Sequence, residues 1–181
     1  MLFTFQRGII IPIYKIALMG DAAVGKTSLR KNFMGESFKN SYAITIGAEF
    51  SVYKIQDYTL HIWDLAGQIR FESVLQGYYK GTLGALVVFD ISNRKSFDNL
   101  PHWINGLENN NGLVPLIIVG NKSDLREHSN SEVTKEEAEA YAKTISEWGN
   151  VETRYVETSA LLGENVDFAF QTLIEAVDRI I

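Results

Sequence analysis

The chain has 181 residues, 46% of them apolar and 22% charged, which suits one domain with a core of its own. A net charge of −5 argues against a nucleic-acid-binding surface, which needs a basic face, but leaves room for a nucleotide held by local amides and one or two cations. There is no cysteine, which excludes disulfides, thiolate zinc sites, cysteine nucleophiles and a prenyl or palmitoyl anchor on this chain.

Residues 1–12 are apolar but interrupted by Gln6, Arg7 and Pro12. They read as an extended lead-in to the first strand, not as a signal peptide, because the apolar stretch runs straight into the first motif. A short apolar strand is expected at 13–19, then a Gly-rich turn, then a helix over 26–34. Residues 48–56 and 59–64 are two extended runs separated by Asp57 and Tyr58, which predicts an antiparallel hairpin. Continuous apolar runs at 84–90 and 115–121 predict buried parallel strands, with a shorter strand at 154–158. Apolar residues at helical spacing place helices over 97–107, over 134–147 behind a Thr134 cap, and over 166–181. This alternation signals an α/β domain with a mostly parallel sheet. No apolar run approaches the roughly 20 residues of a spanning helix.

Four motifs follow strands. GDAAVGKT at 20–27 matches G-x-x-x-x-G-K-[ST] between a strand and a helix, as the pattern requires. In such a loop the backbone of Gly20, Asp21, Ala22, Ala23, Val24 and Gly25 turns its amides towards phosphates, and the following Ser28 is counted with that run. Lys26 adds a point charge at the β- and γ-groups, and the Thr27 hydroxyl is a candidate Mg²⁺ ligand. WDLAGQ at 63–68 supplies Asp64 for a magnesium contact, Gly67 for a close amide approach to a γ-phosphate, and Gln68 to orient an attacking water. NKSD at 121–124 offers Asn121, Lys122 and Asp124, with Leu125 beside them. The Asp124 carboxylate can accept from both N1–H and the N2 amino group of guanine, a donor pair that adenine lacks. ETSAL at 157–161 brings Ser159, Ala160 and Leu161, with the Ala160 amide expected at the guanine O6. All four fall at one carboxyl edge of the expected sheet, where open α/β sheets bind ligands.

These residues resemble the Ras superfamily of small GTPases over roughly residues 13–181, with a Rab-like look in TIG, WDLAGQ, YYKG, FDISNRKSFDNL and GENVD. FKNSYAITIG at 38–47 resembles the first switch. There the resemblance implies that Phe38 packs on the guanine edge, that Tyr42 covers the phosphates and that Thr45 joins Thr27 and Asp64 as a magnesium ligand. The stretch between TIG and WD is short, as in the Arf group. Ala22 and Ala23 stand where Ras proper has glycines, Leu65 where threonine is common, and Leu161 where lysine is usual.

The resemblance implies a P-loop NTPase fold: a six-stranded, mostly parallel sheet with one antiparallel edge strand and helices on both faces. It implies a single GTP-binding domain over 1–181, with 1–12 as an N-terminal extension. The expected function is a GTP/GDP switch with Mg²⁺, and Gln68, Lys26 and Thr45 carry the chemistry. With no arginine placed to act in cis, turnover is expected at about 10⁻⁴ to 10⁻³ s⁻¹. Expected partners are an exchange factor, an activating protein and effectors. A monomer is expected, cytoplasmic or peripheral at membranes, in signalling or trafficking. Two rivals stay open on the sequence. One is a module that holds nucleotide without cycling, opposed by Gln68, Thr27 and Thr45; the other is an ATP-dependent P-loop enzyme, opposed by Asp124.

His61 reads as a hairpin surface position, and Trp103 and Trp148 as helix packing. Tyr78 and Tyr79 are open between an effector surface and the core.

Overall fold

The computed structural model describes residues 2–6, 9–36, 45–55, 57–68, 72–126 and 133–181. In chain order the strands are β1 (Leu2–Gln6), β2 (Ile9–Met19), β3 (Ala48–Lys54), β4 (Thr59–Leu65), β5 (Gly84–Asp90), β6 (Leu116–Asn121) and β7 (Thr153–Thr158). Five of them, in the order β4-β2-β5-β6-β7, run parallel, and β3 lies antiparallel outside β4. This is the expected six-stranded sheet with one antiparallel edge strand. The N-terminal segment adds a seventh strand where the sequence pattern predicts only an extended lead-in. β2 pairs with β4 from Ile13 and with β5 from Ile16, so its first residues project beyond both. Their backbone groups need partners, and β1 supplies them in antiparallel register, Leu2 opposite Ile13.

The helices are α1 (Lys26–Phe33), α2 (Glu72–Tyr79), α3 (Arg94–Asp98), α4 (Leu100–Asn111), α5 (Lys135–Gly149) and α6 (Val166–Asp178). Strand side chains alternate between two cores. Ile16 and Leu18 of β2, Leu86 and Val88 of β5, and Ile117 and Val119 of β6 face α1 and α6. Ala17 and Met19, Ala85, Val87 and Phe89, and Leu116 and Ile118 face α2 to α5. Both faces are covered, which is why these strands read as unbroken apolar runs. Fully burying each of the larger side chains, the Val, Leu, Ile, Phe and Met residues, contributes about 1.5–3 kcal/mol.

Three helical details depart from expectation for local reasons. The helix expected over 97–107 is two helices, because Pro101 sits in the first turn of α4. A proline cannot continue a preceding helix, since its ring meets the carbonyl four residues back, so α3 stops and Asn99 forms the corner. The apolar pattern does not predict α2, which is short and carries Gly77, a weak helix former. Its end is held by Lys15, whose Nζ donates to the carbonyls of Tyr78 (2.6 Å) and Lys80 (2.5 Å) and lies 5.1 Å from the Trp63 ring centroid. Tyr79 is buried, whereas Tyr78 is half-buried beside Trp63, with ring centroids 5.4 Å apart. α6 ends at Asp178, which leaves Ile181 exposed and not on the buried face. Trp148 is also exposed, contrary to the packing expected of it: α5 buries its Ala138 and Ala142 face, and Trp148 points away from it in the last turn. Trp103 is buried as expected, and His61 is half-buried, edge-on to Phe50 at 5.1 Å. The Thr134 cap forms, its hydroxyl accepting from the Glu137 N–H at 3.2 Å.

Gly84, at the start of β5, lets α6 lie directly on the sheet: a Cβ there would stand 2.8 Å from Val177 Cγ2 and 2.9 Å from Leu173 Cδ1. Gly84→Ala is expected to destabilise the protein by about 1–3 kcal/mol, as overpacking does. Urea unfolding checks this: the midpoint should fall with an unchanged slope.

Candidate nucleotide site

β2, β4, β6 and β7 each deliver one motif to the same end of the sheet. β2 lies between β4 and β5, where the strand order reverses, and an open α/β sheet leaves a crevice at such a point. The loop after β2 is tight. Gly20 has φ +136°, and a Cβ on it would fall 2.1 Å from the Val88 carbonyl oxygen. Gly25 has φ +105° and abuts Asn121 Nδ2. Ala23 takes the left-handed conformation, φ 63°, a strain that a glycine at this position would not carry.

Lys26 folds its side chain back inside this loop. Its buried Nζ donates to the carbonyls of Gly20 (2.8 Å) and Asp21 (2.7 Å). Burial pushes its pKa down to about 8, against the pull of Asp64 and Asp21. The ammonium is therefore placed at the loop's centre with no ion-pair partner among the described residues, a geometry that favours an incoming polyanion.

Three oxygen groups from separate segments meet beside it. The Thr27 hydroxyl donates to Asp64 Oδ2, and Thr27 Oγ1 lies 3.2 Å from Thr45 Oγ1. Asp64 is fully buried, and its other oxygen, Oδ1, has no hydrogen-bond partner among the described residues. Burial raises the Asp64 pKa, opposed by the Thr27 hydrogen bond and by Lys26 and Arg30. An orphaned carboxylate oxygen beside two hydroxyls fits a hard divalent cation, which takes oxygen ligands. Gly67 seats the second motif on the first: a Cβ there would fall within 2.3–2.4 Å of the Asp21 and Ala22 backbone. Gln68 is half-buried one residue on, and Ser28 lies in the first turn of α1.

The base-side loops are cross-braced. Asn121 Nδ2 donates to the Val24 carbonyl at 2.8 Å, and its Oδ1 accepts from Thr158 Oγ1 and the Ala160 N–H, both at 3.1 Å. The Ala160 amide, expected to face a guanine O6, thus has a protein partner here. Asp124 lies in a short 3₁₀ turn with Leu125, and its Oδ1 accepts from the Ser159 hydroxyl. Lys122 is left-handed at φ 68° and pairs with Asp90 at 2.6 Å. Leu161 is exposed. Phe38 and Tyr42 lie outside the described residues. Sequence reasoning missed Arg126, which pairs with Glu157 and donates to the Val133 carbonyl at 3.0 Å, tying the third motif to the fourth. Its position just after NKSDL and the glutamate opening ETSAL were the available signals.

A model of the Ras family matches residues 15–179. The chain belongs to the Ras family of small GTPases. Among its relatives, the Ras-related protein RABA5a of Arabidopsis thaliana is 38% identical over 174 residues, 93% of this chain and 75% of that protein. The Ras-related protein Rab-13 of Canis lupus familiaris is 38% identical over 166 residues, 89% of this chain and 78% of that protein. The Ras-related protein Rab-8B of Homo sapiens is 38% identical over 166 residues, 89% of this chain and 76% of that protein. The Rab-like resemblance is therefore borne out, and this GTPase is a GTP-binding switch.

Thr27 is the hydroxyl common to both contacts in the oxygen cluster. Thr27→Ala is expected to remove most of the effect of magnesium on nucleotide retention. Chelation by EDTA should speed GDP release from the wild type about tenfold or more and should change the variant much less, which fluorescent-GDP release measures.

Proposed function

We propose that this GTPase binds GTP with Mg²⁺ and hydrolyses it slowly to GDP, and that the whole chain forms one nucleotide-binding domain. The reading is carried by the convergence of Thr27, Thr45 and Asp64 beside the buried Lys26 ammonium. In this reading Thr27, Thr45 and Asp64 hold the cation, directly or through water. The ion, when bound, supplies positive charge to the phosphate oxygens. Lys26 exchanges its two carbonyl partners for phosphate oxygens. The Gly67 amide meets the γ-phosphate, and Gln68 orients the water that attacks it. Asp124 accepts from the guanine N1–H and N2 groups, with the Lys122 stem along the base. Ser159, Ala160, Leu161 and Leu125 wall the base, and Phe38 and Tyr42 close over the nucleotide.

Thr45 and Gly67 stand on the two segments that a γ-phosphate would hold, so its loss releases both, and partners can read the difference. Exchange factor, activating protein and effectors follow from that cycle, with the activator supplying a cation that none of the described residues places beside the oxygen cluster. Among the described residues no helix is long and apolar enough to cross a membrane. The relatives' Rab names favour work in trafficking at a membrane surface, and in this reading the protein acts as a monomer.

Gln68→Leu is expected to leave GTP affinity within about twofold and to slow single-turnover hydrolysis at least about tenfold, since water positioning contributes only in the transition state. Hydrolysis at the wild-type rate would remove Gln68 from the mechanism, and a wild type that binds but never turns over would make the chain a holding module.

Asp124→Asn should weaken GTP binding and turn preference towards xanthine nucleotides, because the new amide can donate to the xanthine C2 carbonyl. Competition between the two triphosphates reads this directly, and an undiminished preference for GTP would refute the guanine assignment.

A further inference from the structure

Asp21 is an acid inside a loop built to receive phosphates. A carboxylate free to turn inward there would repel the ligand and compete for the loop's own amides. The structure turns it outward, to the far side of the loop. Asn99 Nδ2 donates to Asp21 Oδ2 at 2.7 Å, and Trp103 Nε1 donates to Asp21 Oδ1 at 2.8 Å. Both donors come from one place, the corner at which Pro101 ends α3 and begins α4. Trp103 is almost fully buried in the core beneath α4, so its N–H is a rigid post, while Asn99 is half-buried at the corner. The same residue's carbonyl accepts from Lys26, and its backbone carbon lies against Gly67. Residue 21 is thus tied at three points: to the α3–α4 corner through its carboxylate, to the buried ammonium through its carbonyl, and to Gly67, where the segment running on to α2 and proposed as the second switch begins, through van der Waals contact.

We propose that Trp103 and Asn99 are positioning residues for nucleotide binding: they hold the Asp21 carboxylate away from the phosphates and fix the height of the phosphate loop from α4. This deepens the reading of residues 20–27 as that loop and rests on it. Neither residue touches the nucleotide in this arrangement; both act through Asp21. A second consequence is that α4, which also packs against α2 with Gly106 facing Tyr79, carries one fixed bracket for the loop and one face for the second switch.

The test is a double-mutant cycle on release of a fluorescent GDP analogue. Trp103→Phe keeps the aromatic bulk and removes the N–H, leaving a half-paired carboxylate beside the phosphates. We expect it to speed release about tenfold, the scale of a hydrogen bond to a charged group. The same change made in an Asp21→Ala background should alter release less than about twofold, because no carboxylate is left to misplace. Asn99→Ala, at a half-buried corner where folding is not at stake, should behave in the same way in the two backgrounds. If Trp103 were only core filling, its substitution would have equal effects with and without Asp21, and such additivity overturns the proposal. The indole N–H resonance of Trp103 gives a readout that involves no variant: it should shift between the nucleotide-free and GDP-bound protein, and an unchanged resonance counts against the bracket. A wild type that holds no guanine nucleotide overturns the phosphate-loop reading and this proposal with it, whereas additive effects in a wild type that binds overturn only the proposal.

Discussion

Lys26 places an ammonium group inside the protein, where the carbonyls of Gly20 and Asp21 accept from it. Removing a charge from water is expensive unless something of opposite sign meets it, and two neutral carbonyls offset only part of that cost. The rest of the site follows from holding this group ready for an anion. The loop must wrap closely around a lysine that begins a helix. That forces Gly20 under the Val88 carbonyl and Gly25 against Asn121, both at backbone angles that a side chain resists. The same closeness lets Gly67 lie on the Asp21–Ala22 backbone, so any shift of the loop is felt at once by the segment that carries Gln68.

Around that centre the described backbone next to Thr45 and Gly67 is held by fixed ties. The exit of the first switch is held where the Ala66 N–H donates to the Gly47 carbonyl at 2.8 Å. A little further on, the buried Arg30 of α1 donates to Ser51 at 2.8 Å and pairs with Glu49 at 2.9 Å, pinning the edge strand β3 to the helix that begins at Lys26. At the far end of the second switch, Lys15 takes the last carbonyls around α2. Thr45 and Gly67 therefore sit beside well-anchored backbone.

The base side is built differently. Asn121 spans three loops with one amide, and Arg126 joins the two loops that would frame guanine. Buried polar groups are satisfied by one another here, so the pocket edge is preformed and not assembled by the ligand. In the proposed reading specificity and switching are separated in space: a cross-braced frame at β6 and β7, and tied segments at β3, β4 and α2.

Much of this was legible in the residues. Apolar runs marked the central strands, because a parallel sheet covered on both faces leaves no polar alternation to blur them. The phosphate-loop lysine, the acid after β4 and the asparagine and aspartate after β6 were readable, because their spacing to a strand end is local. Less was legible where a partner is remote. The seventh strand depended on how far β2 outruns its neighbours, and the split between α3 and α4 on what Pro101 does to the turn before it. The destination of the Asp21 side chain could not be read at all: its partners stand 78 and 82 residues further along the chain, and only the packing of α4 beside the loop brings them within hydrogen-bond reach. Sequence alone determined which groups are present and on which strand ends they fall, since both follow from local pattern. The tertiary structure decided which of those groups meet beside the Lys26 ammonium and which are turned away to hold the others, since that depends on contacts between segments that no local pattern records.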